Sequence, residues 1–146
     1  MKCTKRMRTR CECDYCGKKN WSVGHMRKHE KHCTKNPERE CRVCKMVEGE
    51  QKAIAALMAV LPEPTTLHIE GEYDSKTYID GAEKRLNESL PALRDLCDNC
   101  PACILAALRQ KGILVPMATD FDFTNEMKSI WAEINQHQLE GNGGCY

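Results

Sequence analysis

The cysteines constrain this chain more than any other feature of its sequence. There are 11 of them in 146 residues, and most fall in short clusters. Aromatic residues make up only 5% of the chain, so its core must be built mainly from Leu, Ile, Val, Ala and Met. A chain with few large aromatic side chains has less area to bury, so bound metal would help to stabilise it. We therefore expect the cysteine clusters to determine the fold.

Two chemistries use cysteines in this way, disulfide bonding and metal ligation. The N-terminal sequence MKCTKRMRTRCEC contains no apolar run, so we expect no signal peptide. No stretch of the sequence has the apolar length of a membrane span. The number of cysteines is odd, so pairing alone cannot use every thiol. Metal ligation in a reducing intracellular compartment is the favoured interpretation, and a disulfide framework is the alternative.

The first cluster has the spacing C-x2-C-x12-H-x3-C. Its members are Cys13, Cys16, His29 and Cys33. Two cysteines two residues apart can direct both sulfurs to one point, and a His and a Cys four apart lie on one face of a helix. Together the four complete a tetrahedron around zinc. His25 and His32 are alternative ligands, but neither is in register with both cysteines as well as His29 is.

This cluster resembles the ββα zinc finger in its C2HC variant, over residues 11–33. The resemblance implies a β-hairpin that carries the two cysteines and a helix that carries the other two ligands. Met26 matches the family's core leucine. The family's core aromatic falls four residues after the second cysteine, where this chain has Asn20 and then Trp21. This departure predicts a register shift or a small bulge in the hairpin.

The resemblance also implies contacts with nucleic acid. The helix positions that would face the bases are Ser22, His25 and Lys28. The phosphate contacts would come from Lys18, Lys19, Arg27 and Lys31. One finger covers about three base pairs, which is too few for sequence specificity on its own. The alternative is a finger that binds protein or serves only as structure.

A second cysteine pair, Cys41 and Cys44, lies far along the chain from Cys97, Cys100 and Cys103. Two C-x2-C pairs separated by a long insertion can form a four-cysteine zinc site, which gives two zinc ions per chain. We predict Cys100 and Cys103 as the second pair, with Cys97 as the substitute, because CPAC opens a helix whose N–H groups favour thiolate. Four thiolates leave no open position on zinc, so the predicted role is structural. A redox dithiol is the alternative.

Charge divides the chain into two halves. Residues 1–45 contain 14 Lys/Arg and 5 Asp/Glu, a net charge of +9, whereas residues 46–146 contain 8 and 16, a net charge of −8. A basic half predicts contact with a polyanion such as nucleic acid. The alternative is that the two halves attract each other, within one chain or between copies.

The predicted fold is mainly α with a small β content, an N-terminal ββα zinc finger followed by a zinc-stapled helical body. The predicted units are a basic arm (1–10), the finger (11–33), a linker (34–40), a helical domain with the four-cysteine site (41–140) and a flexible tail (141–146). Apolar periodicity predicts helices before Pro62, over Ala82–Leu90, up to Gly112 and from Thr124 onward. We also predict a helix break at Pro91, with Ser89 as the new cap. A short strand near Thr65 is predicted to pair with one near Thr77.

The motifs of common enzyme classes are missing. The sequence has no P-loop, no GxGxxG and no GxSxG, and HEKHC departs from the metalloprotease HExxH because Cys33 replaces a ligand. We therefore predict no catalytic residues and no small-molecule substrate. The predicted function is zinc-dependent binding of DNA or RNA through the finger and arm, with a protein partner or self-association through the body. The alternative is a structural or adaptor protein in an assembly such as a phage particle, located in the host cytoplasm or the virion.

Overall fold

The computed structural model describes residues 10–66, 77–78, 82–113 and 120–141. The strands are β1 (Cys11–Glu12), β2 (Lys19–Asn20), β3 (Thr65–Thr66) and β4 (Thr77–Tyr78). The helices are α1 (Val23–His32), α2 (Arg42–Met46), α3 (Ile54–Ala59), α4 (Ala82–Leu96), α5 (Pro101–Lys111) and α6 (Phe123–Gly141). The predicted fold class, mainly helical with a hairpin before the first helix, is confirmed. Nearly all of the predicted basic arm and tail lies outside the described residues.

The N-terminal unit is a hairpin followed by a ten-residue helix. β1 and β2 pair antiparallel, and Gly17 in the turn between them has φ +70°, a left-handed conformation that glycine adopts without strain. α1 begins after Ser22, whose Oγ accepts a hydrogen bond from the backbone N–H of His25 at 3.3 Å. This cap satisfies one of the free N–H groups at the start of the helix. The order of strand, strand and helix is that of a ββα finger.

The interior of this unit is very small. Met26 of α1 is buried and packs against Cys13 and Cys33, as the resemblance implies. Trp21, in contrast, is 61% exposed, so it does not take the place of the family's core aromatic. The two described strand pairs of the hairpin have a regular antiparallel register without the predicted bulge. Asn20 stands at the sequence position of the family's core aromatic and is partly buried. The metal ligands therefore supply most of the interior of this unit.

The segment predicted as a linker, residues 34–40, is folded against α5. The side chain of Gln110 donates hydrogen bonds to the backbone carbonyls of Thr34 and Asn36, at 3.0 and 2.9 Å. Arg109 Nη1 donates to the Thr34 hydroxyl at 2.8 Å. Asn36 is buried and donates from Nδ2 to a backbone carbonyl of α1 at 2.8 Å. These contacts fix the end of the finger against the helical body.

The main core surrounds α5, which is buried on almost every side. Residues 103–108 of this helix are all buried, and such an all-round apolar helix is typical of the centre of a protein. The residues that pack around it include Leu57 of α3 and Phe121 before α6. Gly112 ends α5 in a left-handed conformation with φ 78°, as the sequence predicts. All four cysteines of the second cluster belong to this same apolar core.

The predicted helix break at Pro91 is wrong, because α4 continues through this residue. A proline inside a helix costs about 3 kcal/mol, since it removes a hydrogen bond and crowds the preceding turn. Leu86, Leu90 and Leu93 lie on the buried face of α4, and burial of each contributes about 1.5–3 kcal/mol. Ser89, the predicted cap, instead donates from Oγ to the backbone carbonyl of Leu86 at 2.9 Å. Packing of the apolar face therefore outweighs the local cost.

The other predicted elements agree with the described residues. Thr65 pairs with Tyr78 and Thr66 with Thr77, which confirms the predicted strand pair, although the turn between the strands lies outside the described residues. α6 begins at Phe123, one residue before its predicted start. Helical periodicity and short-range turn signals thus located most of the elements.

Leu57 offers a test of the main core, because its side chain is 0% exposed. We expect Leu57→Ala to lower the free energy of unfolding by about 2–5 kcal/mol, since a buried cavity replaces the side chain. The control is Val47→Ala at an exposed position, which should change it by less than about 0.5 kcal/mol. Urea denaturation of the zinc-loaded proteins measures both values. Equal stabilities of the two variants would contradict the packing described here.

Candidate metal centres

The structure brings together the four predicted ligands of the finger. They are Cys13, Cys16, His29 and Cys33, and their ligand atoms all lie within 4.8 Å of one another. The sulfur of Cys16 lies 3.1 Å from Nε2 of His29. The turn that carries the first two cysteines is closed by backbone hydrogen bonds of 2.9 Å from Gly17 N–H to the Cys13 carbonyl and from Cys13 N–H to the Lys18 carbonyl. The hairpin thus presents two sulfurs toward the ligands of α1.

The surroundings of this cluster favour a thiolate at Cys16. Burial acts to raise the pKa of Cys16, but hydrogen bonds from the backbone of Lys18 and from the side chains of His29, Cys13 and Cys33 lower it to about 7. Burial raises the pKa of Cys33 above its ordinary value. Thiolate sulfur and neutral imidazole are the forms that ligate zinc. A zinc ion that binds here replaces the remaining thiol protons, so its affinity increases with pH.

The second cluster lies between α2 and α5. Its members are Cys41, Cys44, Cys100 and Cys103, all buried, with ligand atoms within 4.8 Å of one another. The sulfurs of Cys41 and Cys100 are 3.6 Å apart, as are those of Cys44 and Cys103. Four sulfurs bound to zinc at the usual bond length form a tetrahedron with edges of about 3.8 Å. The two clusters are therefore consistent with two zinc ions per chain, the number predicted from the sequence.

Each cysteine pair of this cluster opens a helix. Cys41 is the N-cap of α2 and Cys100 is the N-cap of α5, and both have extended backbone angles. The second cysteine of each pair lies in the first turn of its helix, which brings the two sulfurs of a pair to the same end. Pro101 at the start of α5 has the φ of a helix already and lacks an N–H that would stay unpaired there. The two short motifs thus place their sulfurs in a similar way.

The thiols of the second cluster cannot all ionise without a cation. Hydrogen bonds from Cys100 and Cys103 lower the pKa of Cys41, whereas burial raises that of Cys44 to about 12. Hydrogen bonds with Cys103 and Cys41, together with burial, raise the pKa of Cys100. Several buried thiolates at such distances repel one another, and a divalent cation removes this repulsion. The donor set and its burial therefore fit a structural zinc ion.

Cys97, the predicted substitute, is not part of the second cluster. Its side chain is buried, and its sulfur contacts the backbone carbonyls of Arg94 and Cys100 at 3.9 Å each. Burial raises the pKa of Cys97 to about 11, so it remains a thiol at neutral pH. The structure thus brings together the pair that was predicted from the CPAC sequence.

Arg39 is a contributor to the second centre that sequence reasoning missed. Its side chain is 5% exposed, and its Nη1 lies 3.8 Å from the sulfur of Cys103. Its Nε is buried without a hydrogen-bond partner among the described residues. Zinc with four thiolates carries two excess negative charges, and a buried guanidinium offsets one of them. The only sequence signal is its position two residues before Cys41, in a segment that has the composition of a linker.

Gln51 is a second contributor that the sequence did not reveal. Its Nε2 donates to the backbone carbonyl of Arg39 at 2.7 Å, and its Oε1 accepts from the backbone N–H of Cys41. One amide side chain thus holds the backbone on both sides of Glu40. Such outer contacts orient metal ligands and influence metal affinity.

The predicted nucleic-acid contacts lie on the surface of the finger. Ser22 caps α1, and His25 and Lys28 are exposed. The last two belong to a cleft of about 300 Å³ whose lining residues are His25, Lys28, His29, His32 and Arg42. The helix face that the resemblance assigns to bases is therefore continuous with Arg42 of α2.

The predicted phosphate contacts differ in their surroundings. Lys19 forms an ion pair with Glu12 at 3.5 Å, and Lys31 forms one with Glu40 at 3.0 Å. Lys18 and Arg27 are exposed, and neither belongs to an ion pair within the described residues. Of the four side chains predicted to contact phosphate, Lys19 and Lys31 are thus already paired with carboxylates.

Comparison of the chain with protein-family models, with curated proteins and with solved structures finds no match. The likeness to a ββα finger therefore depends on the hairpin, the helix and the ligand cluster. The nine cysteines within the described residues are all free of disulfide bonds. Within the same residues, no helix combines the length and the apolar character of a membrane span.

Metal content tests the assignment of the second centre. We expect two zinc ions per chain in the wild-type protein and in Cys97→Ser, but one in Cys103→Ser, because Cys103 is one of the four ligands of the cluster and Cys97 is not. Elemental analysis after treatment with a mild chelator measures all three. One zinc ion in wild type, or in Cys97→Ser, would contradict the assignment.

The role of Arg39 is tested by removal of its charge. We expect Arg39→Met to weaken zinc binding at the second centre by about 10- to 100-fold, the usual effect of changes to groups that contact metal ligands. Arg42→Met is the matched control, since it removes an equal charge next to Cys41 at an exposed position. Competition with a chromophoric chelator measures both affinities. If the two variants bind zinc equally well, the charge of Arg39 has no special role.

Proposed function

We propose that this chain is a non-enzymatic zinc protein that binds nucleic acid through its finger. The observation that carries the proposal is the basic cleft between α1 and the start of α2. Its lining contains Lys28, Arg42 and three histidines, and no carboxylate among the described residues. Positive side chains in a concave surface attract phosphate groups, which account for much of the affinity of proteins for nucleic acid.

The distribution of ion pairs supports a polyanionic partner. The structure describes five ion pairs, which are Lys19–Glu12, Lys31–Glu40, Lys52–Glu50, Arg94–Glu126 and Lys111–Glu63. Each joins two residues of the same half of the chain, so none of them joins the basic half to the acidic half. This argues against the alternative that the two halves neutralise each other within one chain. Within the described residues, the basic side chains of residues 10–45 thus form no ion pair with the acidic half of the chain.

The make-up of the metal centres supports a function without catalysis. Each centre offers four side-chain ligands. A zinc ion with four protein ligands has no position for water or substrate, which catalytic zinc requires. We therefore assign both zinc ions a structural role, in which they position the surface that binds the partner.

A second candidate function, as an adaptor or structural protein in an assembly, is favoured by a groove between α2 and α6 whose lining is partly apolar. The groove measures about 590 Å³ and is lined by Met46, Val47, Glu48, Glu133, Ile134 and His137. On α6, Met127 and Ile130 pack against the main core. Trp131, the residue after Ile130, is 44% exposed. Exposed apolar groups around a groove are typical of protein contacts.

The proposal predicts salt-dependent binding that needs the cleft. We expect the zinc-loaded protein to bind labelled oligonucleotides with an affinity that falls steeply between about 50 and 200 mM salt, through counterion release. The double variant Lys28→Ala/Arg42→Ala should bind more weakly, with a salt slope smaller by about two units if each residue contacts one phosphate. Fluorescence anisotropy measures both quantities.

The matched control is Lys84→Ala/Lys128→Ala, which removes the same charge from exposed positions of the helical body. This control should leave both affinity and slope nearly unchanged. Equal losses in the two double variants would show that net charge matters and the cleft does not. The absence of any binding at low salt would remove nucleic acid as the partner and leave the assembly role.

A further inference from the structure

Trp21 has the highest exposed fraction among the exposed large apolar side chains that the structure describes. Burial of a ring of this size stabilises a folded protein, and in the ββα family the aromatic of this region lies inside the finger. Here Asn20, which is partly buried, stands at the sequence position of that aromatic, and Trp21 is exposed. The side chain therefore adds little to the stability of the finger, and its position needs another explanation.

The local structure holds Trp21 in a defined place. Cys11 pairs with Asn20 across the hairpin, so Arg10, which precedes β1, and Trp21, which follows β2, lie side by side. The Arg10 guanidinium carbon is 5.6 Å from the centre of the Trp21 ring, within the range of a cation–π contact. The Asn20 side chain accepts a hydrogen bond from Ser22 N–H at 3.0 Å, which closes the turn beneath the ring. An exposed aromatic ring with a cation beside it is thus presented by an ordered turn.

The helix that follows Trp21 carries positive and polar side chains on one face. Trp21 comes directly before the cap of α1, and His25, Lys28 and His32 follow on one face of that helix. The last three line the basic cleft, together with Arg42 of α2. From His25 to His32 the helix rises by about 10 Å, which is room for a few nucleotides. The surface therefore combines a stacking group with a site for phosphate.

We propose that this surface binds single-stranded nucleic acid, with one unpaired base stacked on Trp21 and the phosphates that follow it in the basic cleft. This inference rests on the proposed function and specifies the class of nucleic acid. Aromatic rings beside a basic groove are how proteins hold single strands without strong sequence preference. In a duplex both faces of a base are covered by its neighbours, so Trp21 has nothing to stack on. Unpaired DNA and RNA share this chemistry, and both are included in the test.

The test compares one sequence as single-stranded DNA, single-stranded RNA and duplex DNA, each bound by the full zinc-loaded chain. We expect at least one of the single strands to bind more tightly than the duplex. Trp21→Leu should weaken single-strand binding by roughly 5- to 100-fold, the loss expected for one stacked base. Trp21→Phe keeps an aromatic face and should recover part of this loss. The matched control, Trp131→Leu, removes the other tryptophan of the chain and should bind as wild type does.

A spectroscopic measurement reports on the stacking itself. The chain has two tryptophans, so Trp131→Phe leaves Trp21 as the only one. We expect its fluorescence to be quenched by the single strand and little changed by the duplex. Two zinc ions per chain in every variant will show that loss of binding does not come from loss of the fold.

The outcomes separate this inference from the function on which it rests. If no nucleic acid binds at low salt, both are wrong. If the duplex binds at least as tightly as both single strands, or if Trp21→Leu and Trp131→Leu bind equally well, only the single-strand inference is overturned. A difference between the DNA and RNA strands, with the Trp21 effect retained, supports stacking and identifies the preferred sugar.

Discussion

The contact among four sulfurs between α2 and α5 is the interaction on which most of the structure depends. It joins cysteines that are 59 residues apart in the sequence, and closing so long a loop costs conformational entropy. The same four cysteines belong to the apolar core that contains Leu57 and Leu93. Metal binding and apolar burial therefore occur at one place, and neither is complete without the other. This arrangement suits a chain with few aromatic residues, because the metal supplies what a larger core would otherwise provide.

The sequence allowed the ligands to be predicted because their spacing is a property of local backbone geometry. A pair of cysteines two residues apart, or a His and a Cys one helical turn apart, specifies its own relative position before the fold is known. Most helices and the stop at Gly112 were predicted for the same reason. The contacts that escaped prediction depend on tertiary structure. Arg39 and Gln51 lie in polar segments, and their roles exist only when the second centre has formed.

The predicted helix break at Pro91 failed because packing overrules a local rule, and the finger also departs from the family pattern at Trp21. Pro91 usually ends a helix, but the leucines on the buried face of α4 keep that helix continuous. An aromatic residue in a finger of this kind usually fills the interior, but a shift of one position leaves Trp21 outside and Asn20 in its place. The exposed position of Trp21 matters more for function than the continuous helix at Pro91. A residue that is of no use to the interior of the finger is available to a ligand.

α5 has a double role that links the two zinc centres. Its first turn supplies Cys103 to the four-sulfur contact, while Arg109 and Gln110 at its other end hold the segment that follows the finger. If the second centre lost its metal and α5 lost its support, the finger would remain folded around its own zinc. The segment of residues 34–40 would then no longer be fixed against α5, and the finger could move relative to the helical body. Zinc supply would then set the direction in which the finger faces, and with it the distance between α1 and Arg42. A partially loaded chain and a fully loaded chain would present different surfaces from the same sequence.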